Sequence, residues 1–118
     1  MQLRRVVVTG LGALTPLGNT LQAYWDALVK GTSGAAPITN FDASKFKTQF
    51  ACEVKGFDPT EFMDRKEARK MDPFSQFAVA ASDEAMKDSG LVLGTDQERE
   101  RMGVILGSGI GGLLTFQE

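Results

Sequence analysis

The densest group of charged residues in this chain lies between Arg65 and Lys70, which include four basic residues and one acidic residue. The rest of the chain is acidic, because the whole sequence has 13 Lys and Arg against 15 Asp and Glu. A helix turns about 100° per residue, so it would place Lys66, Arg69 and Lys70 on one face. Such a face could steer an acidic partner or a phosphate toward the chain in a salt-sensitive way. A solvated helix with local ion pairs explains the cluster equally well.

Two glycine-rich segments follow apolar runs that are typical of buried strands. Residues 107–112, Gly-Ser-Gly-Ile-Gly-Gly, place one bulky side chain, Ile110, where it should protrude. Glycines there would let the backbone pass close to a ligand, although tight internal packing is an open alternative. Residues 10–15 resemble half of a dinucleotide fingerprint, but Thr15 stands where the third glycine is required. A plain turn after a strand is therefore favoured over nucleotide binding.

The sequence contains one Cys and no His. The absence of His excludes His-based acid–base chemistry and His metal sites within this sequence, and we predict no metal site and no cofactor. Cys52 precedes Glu53, whose negative charge disfavours a thiolate, so a structural thiol is favoured over a nucleophile. A lone Cys also favours a reducing cytoplasm over a secreted scaffold.

Charge and hydropathy exclude two further classes of protein. The net charge of −2 argues against a nucleic-acid-binding protein, which would usually be basic. No apolar run approaches the roughly 18 residues of a membrane span. The length of 118 residues suits one small domain.

The elements that must position these residues alternate between strand and helix, which predicts an α/β fold with a largely parallel sheet. Buried or half-buried strands are predicted at residues 6–10, 50–54 and 102–106. One helix is predicted from Asn19 or Thr20 to Gly31, and another from Asp72-Pro73 to Gly90. A short helix is predicted to begin at Asp58-Pro59 and to extend, either broken or continuous, through Met71. A further helix is predicted from Leu113 onward. Residues 94–101 are predicted to be charged and exposed.

Several motifs, in order along the whole chain, closely resemble the N-terminal part of the bacterial beta-ketoacyl-acyl-carrier-protein synthase II family. They are Arg4–Gly12, Thr15–Thr20, Phe41-Asp42, Arg65–Asp72, Asp88–Leu91 and Gly107–Gly112. The resemblance implies a thiolase-like fold of two similar α/β halves. Residues 1–118 would then be the N-terminal, truncated part of the family's N-terminal domain, at the beginning of the first half.

The resemblance also implies an acyltransferase of fatty-acid elongation. Such enzymes condense an acyl thioester, held on an active-site Cys, with malonyl-acyl-carrier protein. Carbon dioxide leaves, and a beta-ketoacyl chain longer by two carbons remains. Two His complete that site by stabilising the enolate and the carbonyl oxygen.

By the same resemblance, individual residues of this chain have expected roles. Lys66, Arg69 and Lys70 match positions that dock the acidic, phosphopantetheine-bearing acyl carrier protein. Ile110 matches the isoleucine that gates the acyl pocket. The reactive Cys and both His are expected beyond residue 118, so no catalytic residue is assigned and the isolated chain is expected to be inactive.

The parent enzyme is expected to be a cytoplasmic homodimer that binds no nucleic acid and has no membrane span. Two alternatives from other classes remain open. One is a carrier-protein-binding module without chemistry, which would use the same basic face. The other is a nucleotide-binding α/β domain, which would use the glycine-rich turns.

Overall fold

The computed structural model describes residues 3–113 and Phe116. The chain divides into two compact units, one of Met1–Gly12 with Pro59–Glu118 and one of Ala13–Asp58. In chain order the elements are α1 (Leu21–Val29), β1 (Ala36–Pro37), β2 (Phe50–Ala51), a 3-10 helix (Pro59–Glu61), α2 (Arg65–Ala68), α3 (Pro73–Ser89) and α4 (Asp96–Glu100).

Helix α1 of the unit Ala13–Asp58 begins and ends where the sequence predicts. The hydroxyl of Thr20 accepts a hydrogen bond from the backbone N–H of Ala23 at 3.2 Å, so Thr20 is the N-cap. Gly31 follows the helix with φ of +66°, the left-handed conformation that glycine adopts most easily. Both local signals therefore set this helix as predicted.

The sheet of the same unit is a short antiparallel pair, β1 with β2. Ala36 pairs with Ala51, and Pro37 pairs with Phe50. The strand predicted over residues 50–54 is thus confirmed at its first two residues only.

Beyond β2, the chain is held by the carboxylate of Glu53. It accepts hydrogen bonds from the Thr39 hydroxyl at 2.7 Å, the Thr39 N–H at 3.0 Å and the Asn40 N–H at 3.2 Å. The Thr39 hydroxyl above all, and then the backbone N–H groups of Thr39 and Asn40, hold the pKa of Glu53 below its ordinary value. An ionised Glu53 therefore ties residues 39–40 to the segment that follows β2.

The predicted, largely parallel sheet is not found among the described residues, where the one sheet is antiparallel. Residues 6–8 and 102–106 are not strands, and Val6 and Ile105 are 92% and 96% exposed. Their β-branched, apolar composition favours an extended backbone. An extended segment becomes a strand only when a neighbouring backbone completes a hydrogen-bond ladder, and no described residue does so here.

Helix α3 organises the other unit and confirms its predicted bounds, with Asp72 as N-cap, Pro73 as first residue and Gly90 at φ of +63°. Gly12 passes so close to this helix that a Cβ there would overlap the Ala81 carbonyl oxygen. The neighbouring Gly10 is packed in the same way against α3. The glycines of the half fingerprint therefore serve internal packing against α3, a role that the prediction of a plain turn did not include.

Residues 94–101 are exposed as predicted, but they also contain a helix that the sequence analysis missed. Helix α4 begins after Thr95, whose hydroxyl accepts from the Glu98 N–H while the Glu98 side chain accepts from the Thr95 N–H. This reciprocal capping box fits the Thr-x-x-Glu spacing of the sequence. The helix predicted from Leu113 onward lies largely outside the described residues. Within that segment, Leu113 and Phe116 are described, and both are helical.

Candidate functional site

The basic face, defined as Lys66, Arg69 and Lys70, is built on α2. Asp64 starts this short helix, because its carboxylate accepts hydrogen bonds from the N–H groups of Lys66 at 2.8 Å and Glu67 at 3.0 Å. The negative charge of Asp64 lies at the positive end of the turn and favours it further. A local cap therefore fixes the backbone of the basic face.

The turn continues past the helix and keeps the three cations together. Arg69 is the C-cap with φ of −68° and ψ of −16°, and the Lys70 N–H donates to the Glu67 carbonyl at 3.0 Å. All three basic side chains are exposed. Ala68 points inward and is 6% exposed. The segment therefore presents its cations outward from a small buried base.

The cations of the basic face differ in how they are paired. Lys70 forms an ion pair with Glu67 at 2.9 Å. Within residues 3–113 and 116, neither Lys66 nor Arg69 has a carboxylate partner. Two of the three positive charges are thus available to an external anion.

Gln76 fastens the basic face to α3. Its side-chain amide donates to the carbonyl oxygens of Ala68 at 2.8 Å and Met71 at 3.0 Å. These carbonyls end the turn that carries the cations, and the Ala68 carbonyl also accepts from the Met71 N–H at 3.2 Å. The sequence analysis missed this role, because a hydrogen bond from a glutamine amide to a carbonyl five or eight residues earlier leaves no periodic signal.

Ile110 protrudes from the second glycine-rich segment, at 78% exposure. The segment turns just after it, where Gly112 has φ of +75°. At Gly111 the chain lies against Phe74 of α3, since a Cβ built there would be 2.6 Å from the Cζ atom of the ring. Close packing is therefore confirmed at Gly111, while nothing lies within 4 Å of a Cβ built at Gly107 or Gly109.

Three cavities border the Phe74 ring in this unit, one of about 480 Å³ beside Lys70 and Gly112 and two next to the glycine-rich segment. The larger of the latter two, about 440 Å³, falls within the usual range of small-molecule sites. It is lined by Met71, Phe74, Ser75, Ala78, Val79, Leu106, Gly107 and Ser108. The smaller, about 170 Å³, is lined by Asp72, Pro73, Phe74, Ile110, Gly111, Gly112 and Leu113. The predicted gate residue thus borders a cavity that is mostly apolar.

The described part of the chain assembles no reactive centre around its cysteine. Cys52 is exposed and lies directly after β2, in the unit Ala13–Asp58. Across residues 3–113 and 116, no three His, Cys, Asp or Glu side chains group so as to hold a metal ion. No helix in this part of the chain has the length and hydropathy needed to cross a membrane.

Comparison with known proteins gives a family match over residues 3–118, to the model described as beta-ketoacyl synthase, N-terminal domain. The chain is 52% identical over 118 residues to a 3-oxoacyl-[acyl-carrier-protein] synthase 2 of Synechocystis, covering 100% of this chain and 28% of that protein. It is 54% identical over 113 residues to the protein of the same name from Vibrio harveyi, covering 96% of this chain and 27% of that protein. The chain therefore spans just over a quarter of the length of these relatives.

A solved structure, the ishigamide ketosynthase/chain length factor, superimposes with a TM-score of 0.69 at 40% identity. The match covers 75% of this chain and 22% of that one. The thiolase-like fold expected from the sequence motifs is therefore supported, although the described strands are few.

Proposed function

This chain belongs to the beta-ketoacyl synthase family through its match to that family's N-terminal domain, and we propose that it is the N-terminal part of a 3-oxoacyl-acyl-carrier-protein synthase 2. The enzyme would be an acyltransferase of fatty-acid elongation. It would join an acyl group, carried as a thioester on an enzyme Cys, to malonyl-acyl-carrier protein with loss of carbon dioxide. The single observation that carries the proposal is 52% identity to a protein of that name over the whole chain.

In this proposal the basic face docks the acyl carrier protein. Lys66 and Arg69 are exposed and lack a carboxylate partner within residues 3–113 and 116, so an acidic partner meets two cations that need not break existing ion pairs. Complementary charge raises the rate of encounter and fixes the orientation of the partner. The hydrogen bonds of Gln76 support this role, because they hold the turn in one place relative to α3.

Ile110 is proposed as the gate of the acyl pocket. Its side chain is exposed at the turn that ends with Gly112, and it borders an apolar cavity beside Phe74. A branched aliphatic side chain at the mouth of an apolar space can oppose the entry of a longer acyl chain by volume alone. No charge or hydrogen bond of this side chain is needed for that function.

The reactive Cys and the two His of the reaction are assigned to the part of the enzyme outside residues 1–118. The chain itself has no His, and its one cysteine, Cys52, is assigned no catalytic role. The proposal further includes a homodimer in a reducing cytoplasm. A nucleotide-binding domain is not favoured, because Gly10 and Gly12 are packed against α3.

The test compares the full-length enzyme with the isolated chain of residues 1–118. The full-length enzyme should form beta-ketoacyl-carrier protein and release carbon dioxide from malonyl-carrier protein, whereas the isolated chain should do neither. Condensation by the isolated chain would contradict the assignment of the reactive groups. A full-length protein that binds the carrier but never condenses would favour a non-catalytic binding module.

A further inference from the structure

We propose that Phe74 is a positioning residue for the Ile110 gate and thereby helps to set which acyl lengths the enzyme accepts. The inference rests on the proposed function, since it deepens the role assigned to Ile110. It is drawn from the contact between the Phe74 ring and the glycine-rich segment, and from the two cavities next to that segment that the ring lines.

The contact is made by the tip of the ring. A Cβ built at Gly111 would lie 2.6 Å from Cζ, 2.8 Å from Cε1 and 2.9 Å from Cε2 of Phe74. A side chain at this position would have to push the ring aside, whereas glycine lets the backbone lie against it. Because Gly111 directly follows Ile110, the ring limits where the backbone of the gate residue can lie.

The same ring lines both cavities next to the glycine-rich segment. Of the described residues that line them, Phe74 alone belongs to both. On one side lie residues 106–108, and on the other lie residues 110–113 with the Ile110 side chain. Removing the ring would enlarge both cavities and would remove the support beneath Gly111 at the same time.

The ring has a fixed base, and the segment it touches is open at two of its glycines. Phe74 is in the first turn of α3, directly after Pro73, whose ring fixes the backbone φ. Gln76 ties this turn to the end of α2. At Gly107 and Gly109, by contrast, no atom lies within 4 Å of a built Cβ. Phe74 is therefore one contact that locates the glycine-rich segment, beside Asp72, whose Oδ2 would lie 3.3 Å from a Cβ built at Gly112.

The first test measures kcat/KM of the full-length enzyme for a long and a short acyl primer. Phe74→Ala should raise the long-to-short ratio about fivefold, since a gap of this kind lets Ile110 withdraw. Phe74→Leu, which keeps apolar volume, should give a smaller shift. Phe77→Ala is the control, because Phe77 belongs to the same helix but lines neither cavity. This variant should leave the long-to-short ratio unchanged.

The second test asks whether Phe74 acts through the gate. In an Ile110→Ala background, Phe74→Ala should no longer change the ratio. Gly111→Ala alone should impair condensation, because its methyl group meets the ring, and the Gly111→Ala, Phe74→Ala double variant should recover part of that loss.

The outcomes separate this inference from the function on which it rests. If Ile110→Ala leaves the primer ratio unchanged, the gate itself is wrong. If Ile110→Ala shifts the ratio but the Phe74 variants slow both primers equally, Phe74 is a packing residue and the inference fails. Should Phe74→Ala not fold, the absence of any shift in Phe74→Leu would overturn it.

Discussion

Reversing two charges of the basic face should separate carrier binding from stability. The variant carries Lys66→Glu and Arg69→Glu in the full-length enzyme, and it should bind acyl carrier protein about 100-fold more weakly at low salt. These two cations are the right choice because they are exposed and have no carboxylate partner within residues 3–113 and 116. Lys70 is left in place, since reversing it would also break its ion pair with Glu67.

The magnitude follows from the energies of exposed charge pairs. One such pair contributes about 0.2–1 kcal/mol. A reversal replaces attraction with repulsion of similar size, so each one costs about 1–2 kcal/mol of binding at the upper end of that range. The two together cost about 3 kcal/mol, which is roughly a 100-fold change in Kd. Folding loses little, because no described ion pair is broken and surface substitutions usually change stability by about 0.5 kcal/mol or less.

The assay measures Kd by calorimetry at about 10 mM and about 1 M salt, where the Debye length is about 30 Å and 3 Å. The difference between wild type and variant should be large at low salt and should shrink at high salt. The matched control is Lys45→Glu with Lys47→Glu, two exposed lysines whose reversal changes the net charge by the same amount. This control should retain most of the affinity.

Two results would refute the reasoning. If both double variants weaken binding equally, net charge and not the basic face governs the association. If the variant at Lys66 and Arg69 keeps its affinity at low salt, the carrier docks elsewhere. A parallel thermal melt checks that neither result comes from unfolding.

Three further predictions concern the gate, the packing of α3 and the loop of the other unit. Ile110→Phe should lower kcat/KM for long acyl primers about tenfold more than for short ones, and equal slowing would instead assign this side chain to packing. Gly12→Ala should lower the free energy of unfolding by about 1–3 kcal/mol in a denaturant titration, because its methyl group would overlap the Ala81 carbonyl. Gly103→Ala, which has open space, is the control and should change little. Glu53→Gln should destabilise the fold at neutral pH but lose its effect below about pH 4. The reason is that the lowered pKa of Glu53 makes its ionised carboxylate stabilising above that pH. An equal loss of stability at all pH values would exclude this ionic contribution.

The helices could be predicted because their signals are local. Asp72 with Pro73 starts α3 and Gly90 ends it, and each signal is a property of one or two residues. Helix α4 was not predicted, although it also has a local signal, the capping box of Thr95 and Glu98. Helix bounds are therefore accessible from a single sequence wherever the caps are considered.

The sheet could not be predicted in this way, because a strand depends on residues far away in the chain. Residues 102–106 have the composition of a buried strand. Those five residues do not determine which strand pairs with them or which element buries them. One support of the candidate site has the same origin, because Phe74 acts on Gly111, 37 positions further along the chain. The hydrogen bond from Gln76 to Met71 spans only five residues, but it leaves no periodic signal.

The basic face and the gate support belong to one short stretch of chain. Lys70 is followed by Met71, whose carbonyl accepts a hydrogen bond from Gln76. Phe74, which contacts Gly111, is only four residues after Lys70. The N-terminus of α3 therefore sets both the place where a carrier would dock and the wall against which the glycine-rich segment rests. A change that loosens this junction should disturb docking and chain-length selection together, whereas changes confined to the exposed cations should disturb docking alone.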